Sequence, residues 1–162
     1  PAGVTIVIVR DDLVREEVLP FTPTIMRYTT QAKAKSLSNT PPAYGIYICG
    51  LVFKWLKEMG GLSVMAERNK EKAAILYDYL DQSKLFRGTA RKEDRSLMNV
   101  PFVTGSDELD ALFVAEAKSH GIESIKGHRS VGGMRASIYN AMPKAGVEAL
   151  VAFMAEFEKN NG

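Results

Sequence analysis

The sequence predicts an α/β chain whose carboxyl-terminal part is an α+β layer, on three observations. Val4-Thr5-Ile6-Val7-Ile8-Val9 is β-branched at every position and nearly all apolar, the texture of a strand covered on both faces inside an α/β sheet. Two long apolar-patterned stretches follow, from Pro41 to about Met59 and from Leu62 to Leu80, and read as consecutive helices. From residue 95 onward the patterns run β-α-β-β-α, an order that gives mostly antiparallel strands with helices on one face.

Taken in order, Pro1-Ala2-Gly3 is a turn before the first strand and Arg10-Asp11-Asp12 ends it. Residues 19–38, with Pro20, Pro23 and scattered Thr and Ser, show no period; irregular connections of that length often carry function. Proline in the first turn and Gly60-Gly61 just past the end punctuate the helix from Pro41-Pro42 to Met59. Its surface is apolar nearly all round (Tyr44, Tyr47, Leu51, Phe53, Trp55 and Leu56 among others), so it is expected to be buried in something larger. The Leu62–Leu80 helix is amphipathic, with Met65, Ala66, Ala73, Leu76, Tyr77 and Leu80 on one face. Leu97–Val103 reads as a strand, and Pro101 within it suggests an edge or a bulge. Ser106-Asp107-Glu108 opens a helix with Leu109, Leu112 and Phe113 inward, ending before Gly121. Glu123–Lys126 and Met134–Tyr139 read as short strands, and Lys144–Glu158 as a last helix with Val147, Leu150, Val151, Met154 and Phe157 at helical spacing.

Composition narrows the function classes. At 162 residues, 46% hydrophobic and 25% charged, the chain is an ordinary soluble sequence of one domain or two small ones. Twenty-one Lys and Arg against 19 Asp and Glu give +2, too balanced to imply nucleic-acid or membrane partners. The basic stretch Arg87–Arg95 is broken by Glu93 and Asp94 and lacks interleaved aromatics, against RNA binding. Cys49 stands alone and reads as a small buried hydrophobe in a reducing compartment. His120 and His128 are the only histidines, and without a paired spacing they give no zinc site. There is no Walker loop, no Gly-x-Gly-x-x-Gly after a strand and no Gly-x-Ser-x-Gly elbow. No signal segment opens the chain and no apolar run is long enough to span a bilayer, so a cytoplasmic protein is expected. The chain begins at Pro1 and not at Met, so residues upstream of it are expected.

Two segments carry candidate chemistry. Gly127-His128-Arg129-Ser130-Val131-Gly132-Gly133-Met134-Arg135 places three potential cations around a glycine pair. Arginine's planar fork matches carboxylate or phosphate oxygens bidentately, and a protonated histidine suits a phosphate. A phosphorylated carboxylic acid would engage Arg135 at one end and His128 with Arg129 at the other; a solvated, charged β-turn accounts for the same residues. In Ser38-Asn39-Thr40-Pro41-Pro42 the prolines hold Asn39 and Thr40 extended at a helix N-terminus. There they serve either an anion or plain N-capping, which contributes about 1 kcal/mol.

The segment Gly127–Met142 closely resembles the carboxyl-terminal signature of the phosphoserine aminotransferases, a family of pyridoxal-phosphate enzymes. Asn39-Thr40-Pro41-Pro42, Leu51-Val52-Phe53-Lys54-Trp55-Leu56, Arg95–Phe102 and Gly3–Val9 resemble further family motifs, in family order. The loop from Pro20 to Lys35 is the divergent part. The resemblance implies the carboxyl-terminal part of an aspartate-aminotransferase-like fold, residues 1–66 ending the large domain's sheet and residues 67–162 forming a small α+β domain. It implies a homodimer that exchanges an amino group between glutamate and 3-phosphohydroxypyruvate in serine biosynthesis, with a related keto acid of the vitamin B6 route as a second substrate. By position, Arg135 is expected to clamp the substrate carboxylate, and His128 with Arg129 to receive the substrate phosphate. Asn39 and Thr40 are expected to donate to the phosphate of pyridoxal 5'-phosphate in the neighbouring subunit's site.

The family's Schiff-base lysine falls just before the matched Pro-Ala-Gly, so no residue of these 162 is expected to be catalytic, and the segment alone is expected to be inactive. Lys33 and Lys35 belong to the divergent loop. A non-catalytic module binding phosphorylated metabolites through His128, Arg129 and Arg135 is the alternative. A transaminase for a substrate without phosphate has no use for His128-Arg129.

Overall fold

The computed structural model describes residues 3–162, whose contacts divide the chain into two units, Pro1–Glu58 and Met59–Gly162. Pro1 and Ala2, expected as part of a turn, lie outside the described residues.

The first unit contains a short helix, α1 (Tyr28–Lys33), and a long one, α2 (Ala43–Glu58), with 3-10 turns at Asp11–Leu13 and Thr24–Met26. The strand expected over Val4–Val9 does not form. The run has no ladder partner among the described residues, and Ile8 is 95% exposed instead of covered. β-Branching favours an extended backbone, but a strand exists only where a neighbour supplies N–H and C=O groups. The run passes close to α2 at Gly45, where a Cβ would lie 2.6 Å from Val4 Cγ2. Residues 19–38, expected to be irregular, contain α1 and the second 3-10 turn. Helix α2 begins directly after Pro41-Pro42 and ends before Gly60 at φ 104°, as the punctuation requires. None of its residues is buried within this chain, and Tyr44, Tyr47 and Phe53 are exposed. Cys49, expected to be buried, is half-buried.

The second unit runs α3 (Gly61–Gln82), β1 (Arg87–Gly88), β2 (Asn99–Val103), α4 (Asp107–Ser119), β3 (Met134–Ser137) and α5 (Lys144–Asn161). Its three strands form an antiparallel sheet in the order β1-β2-β3. Alternate residues Val100 and Phe102 of β2 and Met134 and Ala136 of β3 are buried. They join one core with Ala73, Leu76 and Leu80 of α3, Phe113 of α4 and Val147, Met154 and Phe157 of α5. Phe113 is the centre of its aromatic contacts, edge-on to Phe86, Phe102 and Phe157 at centroid distances of 5.1, 6.0 and 5.1 Å, the arrangement ring quadrupoles favour.

Three sequence expectations change here. Residues 123–126 make only a single bridge, Lys126 to Met134, and not a strand. Ala66 and Leu112, expected inward, are exposed. Pro101, expected at an edge or a bulge, sits in the central strand opposite Arg135. In an antiparallel ladder one residue's N–H and C=O point to the same neighbour. Pro101 points both toward β1, which is only two residues long; its carbonyl accepts from Thr89 N at 3.2 Å and its missing N–H falls beyond the paired register.

Candidate anion-binding site

The second unit carries His128 and Arg129 on one loop and Arg135 on the strand that leaves it. The segment between Lys126 and Met134 is pinched at its base by Gly127 N–H donating to Gly133 O at 2.8 Å. Above that pinch, Val131 N and Gly132 N both donate to His128 O at 2.9 Å. So tight a fold demands glycine. Gly132 and Gly133 have φ of 78° and 61°, and any side chain at Gly127 would run into the Gly132 carbonyl.

His128 and Arg129 stand exposed on this loop. The Ser130 amide donates to His128 Nδ1 at 3.3 Å, and the Ser130 hydroxyl lies 2.6 Å from the same nitrogen. With Nδ1 accepting, Nε2 is the ring nitrogen left to donate. The guanidinium of Arg129 has no ion-pair or hydrogen-bond partner among the described residues. These are surplus donors, more than a turn needs for its own backbone.

Arg135 follows two residues after the pinch, on β3. Strand alternation turns it to the face opposite the buried Met134 and Ala136. Its Nε is buried and has no hydrogen-bond partner among the described residues. A buried guanidinium nitrogen left unpaired costs free energy that an incoming anion would recover. On the same side of the strands, Asn99 Oδ1 accepts from Ser137 Oγ at 3.3 Å and from Tyr139 Oη at 3.1 Å. Asn99, Ser137 and Tyr139 were not among the residues read from sequence. The available signal was their alternation with the buried Val100, Ala136 and Ile138.

Asn39 and Thr40 belong to the first unit, and both are exposed. Asn39 Nδ2 donates to Thr40 O at 3.0 Å and its Oδ1 accepts from Ser38 Oγ at 3.4 Å. Neither side chain caps α2 among the described residues, and the Thr40 hydroxyl has no partner there. Neutral donors just ahead of a 16-residue helix are a set that fits a phosphate. Among the described residues no three His, Cys, Asp or Glu gather as metal ligands, and no helix is long and apolar enough to cross a membrane.

Comparison with known proteins bears on the same residues. The aminotransferase class-V family model matches residues 1–150, a span containing every cation and donor named above. A phosphoserine aminotransferase of Haemophilus influenzae is 56% identical over 99% of this chain, and the match covers 44% of that protein. The solved structure of a phosphoserine aminotransferase from Bacillus circulans subsp. alkalophilus superposes with a TM-score of 0.88 at 47% identity, over 95% of this chain and 43% of that one. A PLP-bound phosphoserine aminotransferase from Trichomonas vaginalis gives a TM-score of 0.79 at 41% identity, over 86% of this chain and 40% of that one. The chain thus spans less than half the length of the relatives it matches. The fold and the sequence agree, and the chain belongs to the class-V aminotransferases.

Proposed function

We propose that these residues form the phosphate- and carboxylate-binding portion of a phosphoserine aminotransferase, which interconverts 3-phosphohydroxypyruvate plus glutamate and O-phosphoserine plus 2-oxoglutarate. The observation that carries this reading is the unpartnered, buried Nε of Arg135 on the strand leaving the His128-Arg129 loop. One cation is poised for a carboxylate and a separate pair for a phosphate, the two charged ends of such a substrate. In this reading residues 1–66 end the large domain and residues 67–162 are the small one.

Arg135 holds and orients the substrate carboxylate, which brings the reacting carbon to a fixed place. His128 and Arg129 take the phosphate, and His128 Nε2–H donates to it. Asn39 and Thr40 hold the phosphate of pyridoxal 5'-phosphate in a partner subunit's site, which makes the enzyme a homodimer. When bound, that cofactor supplies the electron-accepting ring through which amino groups are exchanged. The lysine and ring-binding groups that this chemistry needs are assigned to residues outside the 162. A cytoplasmic enzyme of serine biosynthesis fits these substrates, and a phosphorylated keto acid on the way to vitamin B6 carries the same two charged ends.

Steady-state turnover of the complete enzyme with Arg135→Ala tests the carboxylate clamp. A fall in kcat/KM for phosphohydroxypyruvate of about 100-fold or more is expected, the scale of a lost bidentate charge-assisted pair. Undiminished turnover would falsify the clamp. A non-catalytic phosphometabolite-binding module would instead show tight phosphoserine binding by the 162-residue chain alone.

A further inference from the structure

Two polar residues lie on the buried side of α3. Lys72 is 3% exposed and Asn69 4%, three positions apart and therefore neighbours on one helix face. Lys72 Nζ donates to three main-chain carbonyls, Ile138 O at 3.2 Å, Tyr139 O at 2.7 Å and Met142 O at 3.0 Å. Asn69 Nδ2 donates to Asn140 Oδ1 at 2.8 Å. Every one of these acceptors belongs to the segment that continues directly from β3, the strand bearing Arg135.

A buried ammonium is costly unless its donors are satisfied. Here no carboxylate is among its hydrogen-bond partners, and its three protons meet three carbonyl dipoles. That geometry gathers three carbonyls of one segment onto a single ammonium. On its other side the segment is tied to β2 through Tyr139 Oη and Ser137 Oγ on Asn99. Strand β3 itself pairs with β2 over only four positions, Asn99 with Ser137 to Phe102 with Met134. The pairing runs on past β3 through Ile138 N donating to Met98 O at 2.8 Å, and Lys72 holds the same segment at carbonyls three, four and seven residues beyond Arg135.

We propose that Lys72 is a positioning residue for Arg135: by fixing the 138–142 segment it sets the direction in which β3 presents the guanidinium to the substrate carboxylate. The importance of that direction for catalysis rests on the function proposed above. Burial lowers the pKa of Lys72 from its ordinary value, but the ammonium remains the form able to fill three acceptors at once.

The test uses Lys72→Met and Lys72→Gln with two readouts. In the 162-residue chain, solvent exchange of the buried Arg135 Nε–H, followed by nitrogen-resolved NMR, is expected to speed up about tenfold or more in both variants as local opening becomes easier. In the complete enzyme, KM for the keto acid is expected to rise about tenfold, more than kcat changes, and to add little when combined with Arg135→Lys. Unchanged exchange overturns the proposal whatever the kinetics show, and so does an effect fully additive with Arg135→Lys. Loss of the fold in both variants also overturns it, because Lys72 is then only a structural staple. Faster exchange with a KM indifferent to both Lys72→Met and Arg135→Lys upholds the positioning of Arg135 and removes its role as the carboxylate clamp.

Discussion

A methyl group added at Gly133 would lie 2.6 Å from Val103 Cγ1 and 2.9 Å from Phe102 O, on a residue whose φ is 61°. Backbone strain and overpacking act together there, so Gly133→Ala is expected to cost about 2–4 kcal/mol in denaturant unfolding. It would also disturb the pinch that holds His128 and Arg129. The glycine pair and the three cations were legible because each is read from residue type: only glycine tolerates such backbone, and only arginine and histidine supply such donors. Lys72 was not legible. A lysine on a helix is ordinarily solvated, and nothing local tells that three carbonyls 66 to 70 positions away converge on it. The one clue was that it shares the apolar face of Met65, Ala73 and Leu76.

Elements are joined by side chains as well as by packing, and Glu158 shows how. Its carboxylate, on α5, accepts from Tyr79 Oη at 2.6 Å, Ser83 Oγ at 2.8 Å, Lys84 N at 2.7 Å and Leu85 N at 3.2 Å. The turn that follows α3 is thereby held by a residue of another helix, the Lys84 and Leu85 amides donating to its carboxylate. Burial alone would raise the pKa of Glu158, but hydrogen bonds from Tyr79, Ser83 and the two amides outweigh it and leave the value lowered; the same contact pushes the Tyr79 hydroxyl well above its usual range, burial being the larger cause. A carboxylate with a lowered folded pKa contributes stability above its unfolded value of about 4.5, and that contribution is lost as pH falls through the folded value. Unfolding free energy between about pH 6 and about pH 3 is therefore expected to fall more steeply in the wild type than in Glu158→Gln. Equal slopes would show that the clamp adds nothing. Other depressed carboxylates, such as Asp81 beside Arg95 and Lys92, act in both proteins and cancel in the difference. The helices were legible from period and punctuation, since α2 to α5 are set by local signals. The strands were less so. Pro101 is central because β1 happens to stop short of it, and Val4–Val9 stays unpaired because pairing depends on a neighbour that sequence alone does not display.

The whole molecule divides its chemistry as it divides its contacts. The first unit carries Asn39 and Thr40 with the exposed apolar side chains of α2, and the second carries the core and the three cations. A self-contained metabolite-binding module and a portion of a larger class-V aminotransferase make different demands on these residues. Both would bind a phosphorylated acid through His128, Arg129 and Arg135, and only the enzyme ties that binding to the turnover of one substrate. The central claim is that His128 and Arg129 select for the phosphate. Its most direct test is the ratio of kcat/KM for phosphohydroxypyruvate to that for hydroxypyruvate, measured in the complete enzyme and in its His128→Ala/Arg129→Ala variant. The ratio is expected to fall by about 100-fold or more, as the loss of two charge-assisted contacts to one phosphate requires. An unchanged ratio in the folded variant would contradict the assignment.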